Sequence, residues 1–395
     1  MKYISVVGTG TAENTITQEA REAIKSAELL LGSQRLIEEF AFENKKSCAC
    51  YKEAEFRAAI ENAVEKNIAV LVSGDTGFYS AAAYFAEGWN ENEYSISFIP
   101  GISSVNSFFA KIKLSWQDVK LISCHGRECN IVDAVRRSRY VFALTGGNVG
   151  QILEKLENAG YGELKAVCGV NLDMPDEKII YSSVVELVGR EFPPLAVLLV
   201  ENPDADASIP TGIPDEKFVR ADVPMTKSEV RSVVMSKLGV GPRSICYDIG
   251  AGTGSITVEM GLAAYEGRVY SIEKNADAIA LINKNIRQFH LGNVEVIGGT
   301  APEIFEELPY PEIVFIGGSS GRIEEIVDKI LLKNSSAKIV CDVIALESLG
   351  RVLEAFKRNK MQYEIVQISI SRNREIGALN MMSALNPVYI ISGEK

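Results

Sequence analysis

Two glycine-rich stretches carry residue types at spacings that chemistry requires. The sharper is Asp248-Ile249-Gly250-Ala251-Gly252-Thr253-Gly254, between the apolar run SICYDIG and a helical pattern from Ser255 to Ala263. Glycines at such a turn let the backbone approach a bound molecule where a Cβ would clash. Glu273 closes the next apolar run, RVYSIEK, 23 positions beyond Gly250. A carboxylate there can accept hydrogen bonds from both hydroxyls of a ribose. Dinucleotides favour GxGxxG with a helix N-terminus facing the pyrophosphate; here the spacing is GxGxG, with Asp248 directly before it. A carboxylate would repel a pyrophosphate but favour the sulfonium and amino groups of S-adenosylmethionine. The expected cofactor is therefore S-adenosylmethionine, with a dinucleotide-dependent oxidoreductase as the alternative. The second stretch, VVGTGTAENTIT, places Gly8 and Gly10 after a short strand, with no third glycine where a dinucleotide loop would want one.

Other chemistries find little support. His125 and His290 are the only histidines, and the seven cysteines form no CxxC pair, so no metal site is expected and the thiols read as reduced and mostly buried. No Ser/His/Asp or Cys/His arrangement stands out, and no catalytic residue is singled out. The net charge of −11 disfavours a nucleic-acid partner, and with it RNA methylation. No run approaches about 18 apolar residues and no signal peptide opens the chain. A cytoplasmic protein with no membrane partner is expected.

A chain of 395 residues predicts two or three domains. The stretch NPDADASIPTGIPDEKFVRADVP carries four prolines and no periodicity, which is linker composition. It divides the chain into residues 1–203, a linker at 204–222, and residues 223–395. Both halves alternate strand-like and helical runs, so both are α/β. In the first, strands are expected at YISVVG, IAVLVSGD, YSISFIPG, YVFALTGG, KAVCGVN and PLAVLLVEN. In the second, helices are expected over Thr226 to Leu238, Ser255 to Ala263 and Asp277 to Phe289, on a mostly parallel sheet that ends in an antiparallel pair, YEIVQISISR and NPVYIISG.

The second half carries PMTKSEVRSVVMSKL before the glycine loop, then GGTAPE, FIGGSSGRIEEI and NPVYIISG. In that order these segments resemble the decarboxylating cobalt-precorrin-6B C15-methyltransferases (the CbiT family), which have a Rossmann-like class I methyltransferase fold. The resemblance implies that Thr226, Gly250, Ala251, Gly252, Thr253, Gly254, Glu273, Thr300 and Ala301 line the cofactor. Gly317, Gly318 and Ser319 would lie beside the substrate, or else form a connector with no ligand.

The first half carries VVGTGTAEN, SGDTGFYSAA, IPGISSVNSFFAKIKLSWQDV, SCHGR and VFALTGGNVGQIL. These resemble the tetrapyrrole methylases (class III), in particular the cobalt-precorrin-7 C5-methyltransferases (CbiE family). The match implies cofactor contacts from Gly74, Asp75, Thr76, Ser103, Ser104, Leu144, Thr145 and Gly169, with Gly8 and Gly10 shaping the substrate's path. Thr11, Ala12 and Glu13 stand where that family has proline, glycine and aspartate, and Thr76 replaces another proline. His125 and Arg127 read either as a hydrogen-bond donor and a carboxylate-binding fork for the substrate or as a polar turn. A fusion of the two families is CobL-like. It implies a tetrapyrrole polycarboxylate substrate, with or without cobalt, methylation at C5 and C15, loss of carbon dioxide, and a homo-oligomer. Such a substrate calls for local positive charge, for which Arg127, Lys227 and Arg231 are candidates. Other acceptors, RNA or protein, are the alternative for the class I half, and a non-catalytic S-adenosylmethionine sensor for the other.

Overall fold

The computed structural model describes residues 1–40, 45–125 and 129–395. The chain forms two units. The first comprises Met1–Glu128, Tyr140–Leu153 and Glu163–Glu201; the second comprises Cys129–Arg139, Glu154–Gly162 and Asn202–Lys395.

The first unit holds two five-stranded sheets. Strands β1 (Lys2–Gly8), β2 (Leu29–Gly32), β3 (Lys46–Ala49), β4 (Asn67–Val72) and β5 (Tyr94–Ile99) build a parallel sheet in the order β3-β2-β4-β1-β5. Strand β4, NIAVLV, is buried from its second residue on, as a central parallel strand covered on both faces must be. Edge strand β5 instead alternates in burial over its first residues. Between β1 and β2 in the chain, Thr17 caps the helix Gln18–Ser26 by accepting from the Ala20 amide, and that helix buries Ala20 and Ile24, one turn apart. Strands β6 (Lys120–Ser123), β7 (Tyr140–Leu144), β8 (Lys165–Val170), β9 (Lys178–Ser183) and β10 (Ala196–Glu201) form the second sheet, in the order β6-β7-β10-β8-β9. Only the β6–β7 pair in it is parallel. The helix Ser104–Ile112 packs Val105, Phe108 and Phe109 onto this sheet against Phe142, Val197 and Leu199.

The second unit is built on a seven-stranded sheet of β11 (Ile245–Ile249), β12 (Arg268–Glu273), β13 (Val294–Gly298), β14 (Ile313–Ile316), β15 (Lys338–Val343), β16 (Gln362–Ile368) and β19 (Val388–Glu394), ordered β13-β12-β11-β14-β15-β19-β16. The first five in this order run parallel, and β19 is antiparallel to both β15 and β16. The expected antiparallel ending is present, but YEIVQISISR is not one strand. It breaks after Ile368, and β17 (Ser371–Ile376) and β18 (Leu379–Ala384) form a separate, exposed hairpin. The helix Ser255–Ala263 is buried at every position, which is why its sequence shows no polar face. Contacts also place the helix Ile131–Arg137 in this unit: Asn130 donates to the Tyr265 carbonyl (3.1 Å) and the Arg137 guanidinium lies 4.0 Å over the Tyr265 ring.

The stretch with linker composition is partly packed. Ile213 and Phe218 are buried with Val258, Leu262 and Leu291. Asp215 accepts from the Ser228 amide at the start of the helix Ser228–Leu238 (3.0 Å) and pairs with Arg231 (3.0 Å). Arg231, expected near the substrate, is instead fully buried. It donates to Glu259 (2.9 Å), Asp215 and the carbonyls of Thr226 and Ile213. Removing one partner from a buried ion pair strands the other's charge, at about 3–5 kcal/mol. Arg231→Ala should therefore lower stability by about that amount, read as a shifted urea midpoint of the second unit.

Candidate active site

In the second unit the carboxyl ends of β11, β12, β14 and β15 open on a cavity of about 860 Å³. Open α/β sheets bind ligands at this edge, where the strand order reverses; here it reverses between β11 and β14. Of the residues expected from sequence, Thr226, Gly250, Ala251, Gly252, Thr253, Glu273, Thr300, Ala301, Gly317, Gly318 and Ser319 line this one cavity. Gly254 caps the helix behind the loop, where a Cβ would come within 3.1 Å of the Ile282 side chain.

The loop needs its glycines. Gly250, Gly252 and Gly254 all have positive φ (+72°, +58° and +76°). A Cβ on Gly250 would lie 2.6–2.7 Å from the backbone of Gly318, because the amides of Gly317 and Gly318 both donate to the Ile249 carbonyl (3.0 and 3.2 Å). Glu273 is held in place: one carboxylate oxygen accepts from the Gly252 amide (3.0 Å), the other from the amides of Lys274 and Asn275 (both 2.9 Å). The Thr253 hydroxyl is buried without a partner at the cavity wall. A fixed carboxylate, an unpaired hydroxyl and a close-approach glycine loop fit a ribose-bearing ligand. The Glu273 carboxylate at that end of the cavity disfavours a phosphate beside the ribose.

Asp248 sits beneath the loop, fully buried. One oxygen accepts from Thr257 (2.5 Å), whose hydroxyl also meets Ser271 (2.9 Å); the other oxygen has no protein partner. Burial pushes its carboxyl up to about 7. The Thr257 hydrogen bond opposes that rise, and the charges of Asp342 and Glu273 add to it. Its placement is that of a support under the loop.

Sequence reasoning passed over three cavity residues. Asp342, near the end of β15, accepts from the Thr226 hydroxyl (3.2 Å), and burial pushes its carboxyl up to about 6. Lys274 and Arg351 also line the cavity; Lys274 donates to Ser320 (2.9 Å). The available signal was positional. Asp342 and Lys274 lie at or just past the carboxyl ends of strands that the sequence already marked as KIVCDVIA and RVYSIEK.

In the first unit, the structure brings together Gly8, Gly10, Gly74 and Ser103. Gly10 and Gly74 exchange backbone hydrogen bonds (3.1 and 2.9 Å). A Cβ on Gly8 would sit 2.8 Å from the Gly74 carbonyl, and one on Gly74 would touch Ser103. Asp75 accepts from the Gly77 amide (2.6 Å), closing a tight turn that carries Thr76. Ser103 caps its helix through the Asn106 amide (3.2 Å), with Ser104 the first helical residue. Leu144 and Gly169 lie level on either side of Val197 in the second sheet. Gly169 lies against the Phe108 ring, where a Cβ would come within 2.6 Å. Thr145 is buried and donates to the Ala196 carbonyl (2.7 Å). His125 is exposed, with its ring near Gly146; Arg127 lies outside the described residues.

Thr11, in the family's proline position, makes a link of its own. It donates to Asp173, which also accepts from Ser107 (2.5 Å) and pairs with Lys111 (2.9 Å). Burial would raise the Asp173 carboxyl, but the bonds from Ser107, Thr11 and Lys111 outweigh it and hold it below the usual range.

The C-terminal geometry defines a class: Rossmann-like methyltransferases that use S-adenosylmethionine. Comparison with known proteins gives the family. Residues 217–395 match the precorrin methyltransferase domain, and residues 3–188 match the tetrapyrrole (corrin/porphyrin) methylases. The chain is 41% identical over 184 residues to a probable cobalt-precorrin-6B C(15)-methyltransferase (decarboxylating) of Pyrobaculum calidifontis, covering 46% of this chain and 94% of that protein. To its counterpart in Sulfurisphaera tokodaii it is 40% identical over 190 residues, covering 47% and 97%. A solved precorrin-6y C5,15-methyltransferase from Geobacter metallireducens is 33% identical over 48% of this chain and 98% of that one, at a TM-score of 0.45. The chain belongs to the precorrin methyltransferases, and its first half is a tetrapyrrole methylase domain. It is an enzyme, and its methyl donor is S-adenosylmethionine.

A carboxyl raised on folding makes the folded state the stronger proton binder, so its contribution is full below about pH 4 and lost as pH rises through about 7. Asp248→Asn, which keeps an oxygen for Thr257, should match wild type in urea midpoint at pH 4 and exceed it at pH 8, by an amount of order 2–4 kcal/mol. Thr11→Pro removes the bond to Asp173 and the Thr11 amide bond to Thr15 (2.9 Å). It should destabilise the first unit by about 1–3 kcal/mol in the same assay.

Proposed function

We propose that the chain is a bifunctional precorrin C5,C15-methyltransferase (decarboxylating) of cobalamin biosynthesis, acting on precorrin-6B and precorrin-7 or their cobalt forms. The second unit methylates C15 and drives loss of carbon dioxide from the ring-C acetate; the first methylates C5. The observation that carries this reading is the pairing, in one chain, of a tetrapyrrole methylase domain with a class I cavity whose wall bears Lys227, Lys274 and Arg351. These cations answer the carboxylates of a tetrapyrrole in a chain whose net charge is −11. A cytoplasmic homo-oligomer belongs to the same reading.

S-adenosylmethionine, when bound, supplies a methyl group made electrophilic by its sulfonium. The protein's share is placement. Glu273 receives the ribose hydroxyls, the glycine loop lets the backbone close on the ligand, and Gly317, Gly318 and Ser319 leave room beside it for a flat ring edge. Thr226 lines the same cavity, its hydroxyl donating to Asp342. In the first unit the paired Gly10 and Gly74 and the Asp75 turn form the corresponding floor. Joining the two sites raises the local concentration of the intermediate that the second unit passes to the first.

The test uses the intact chain. Mass spectrometry after incubation with precorrin-6B, with and without cobalt, should find two added methyl groups and one lost carbon dioxide. Calorimetry should find two S-adenosylmethionine sites and no NAD binding. Glu273→Gln should weaken one of them about 10–100-fold, the loss of one or two charge-assisted hydrogen bonds, and leave the other unchanged. Binding of NAD without S-adenosylmethionine would overturn the reading.

A further inference from the structure

The strand register sets out the cavity floor. Ile249 of β11 lies level with Ile316 of β14, and Ile316 with Cys341 of β15. The next residues on these strands, Gly250, Gly317 and Asp342, therefore follow one another across the cavity. Glu273 closes β12 on the opposite flank of β11. With a ribose at Glu273, the space over β14 and β15 is left for the acceptor, and Asp342 stands in its wall.

Asp342 is a poor static binding group for a polycarboxylate, since two carboxylates repel. Lys227, Lys274 and Arg351 already supply binding charge in the same cavity. A carboxyl that takes up and gives back a proton close to neutrality fits there, and burial pushes Asp342 up to about 6. Three other acids line the cavity. Glu273 is committed to three backbone amides. Burial pushes the Cys341 thiol up, which makes it a weaker acid still. Asp222 is exposed on the segment ahead of the helix.

We propose that Asp342 is the acid that completes decarboxylation, giving its proton to the acetate carbon once carbon dioxide has left. This rests on reading the site as a decarboxylating C15-methyltransferase. The bond between the acetate CH2 and its carboxylate breaks, carbon dioxide leaves, and the bonding electron pair stays on the CH2. The ring, made electron-poor by the methyl gained at C15, delocalises that pair as an exocyclic methylene. The Asp342 O–H bond then breaks and a C–H bond forms, turning the CH2 into CH3 and Asp342 into a carboxylate. Loss of one N–H proton from the macrocycle restores its charge, and solvent reprotonates Asp342, so no proton is consumed overall. Thr226, donating to one carboxyl oxygen, orients the group and stabilises the carboxylate left behind.

The test is a single turnover of the full chain with precorrin-6B in D2O, quenched into H2O when the wild type is complete. Methyl transfer, carbon dioxide release and deuterium in the new ring-C methyl are measured separately. Wild type should carry one deuterium there. Asp342→Asn should bind S-adenosylmethionine within about threefold of wild type and still transfer methyl and release carbon dioxide. It should form the ring-C methyl about 10²–10³-fold more slowly, so that the quench supplies hydrogen and deuterium content falls below one. Asp342→Ser is a second acid-free variant should the amide disturb the strand end. An undiminished rate with full deuterium overturns the assignment. So does a loss of S-adenosylmethionine affinity beyond tenfold, which would place Asp342 on the cofactor. Failure of wild type to methylate or decarboxylate overturns the reading of the site itself, and the inference with it.

Discussion

A guanidinium cannot shed its charge, so burying one obliges the fold to surround it with acceptors. Arg231, with no exposed surface, meets this demand with Glu259, Asp215 and the carbonyls of Thr226 and Ile213, and lies over the Phe218 ring at 4.8 Å. Each acceptor belongs to a piece of chain that the cavity needs in place. Glu259 lies on the helix that the glycine loop opens, and also accepts from the amides of Gly212 and Ile213 (2.9 and 3.0 Å). Thr226 is the wall residue that reaches Asp342. A proline-rich segment that would otherwise be a tether is thereby fixed against the two helices beside the site.

Glycine serves both units in two ways. In the second, Gly250, Gly252 and Gly254 hold left-handed backbone conformations in the loop at the cavity, and Gly250 also lets the backbone of Gly318 approach. In the first, Gly10 and Gly74 hold left-handed conformations, and Gly8, Gly74 and Gly101 let three chain segments meet, with a Cβ on Gly101 falling 2.1 Å from the Gly74 carbonyl.

Much of this was legible in the sequence because it follows from local rules. The apolar runs IAVLVSGD and PLAVLLVEN became buried strands, and the helix Ser255–Ala263 begins right after a glycine cap. Four strands of the first unit were not marked, β2, β3, β6 and β9; they span four to six residues and carry no alternation long enough to recognise. Within the C-terminal run, Arg372 ties β17 to Glu229 and Asp215, partners more than 140 positions away that no local pattern announces. The same holds for Arg231. At four positions from Lys227 on a helix it reads as one of a surface pair, and only the return of Asp215 and Glu259 makes it a core residue. Asp342 was hidden for a related reason: its partner Thr226 lies 116 positions earlier in the chain and reaches it only in the fold.

An acidic chain that binds an acidic macrocycle has to separate two kinds of carboxyl. Those outside can remain ionised, since water and salt screen them. Those in the cavity floor are disfavoured as anions, because each added negative charge would oppose the substrate in a medium that screens poorly. Burial pushes the Asp342 carboxyl up to about 6 and that of Asp248, beneath the loop, up to about 7, so both exchange protons closer to neutrality than an exposed carboxyl does. Glu273 is held differently: its oxygens are taken up by three backbone amides at the β12 end of the cavity. The floor therefore runs from a carboxylate committed to backbone amides at β12 to a buried carboxyl open to proton exchange at β15. The same feature that lets a carboxyl coexist with the substrate equips it to give a proton.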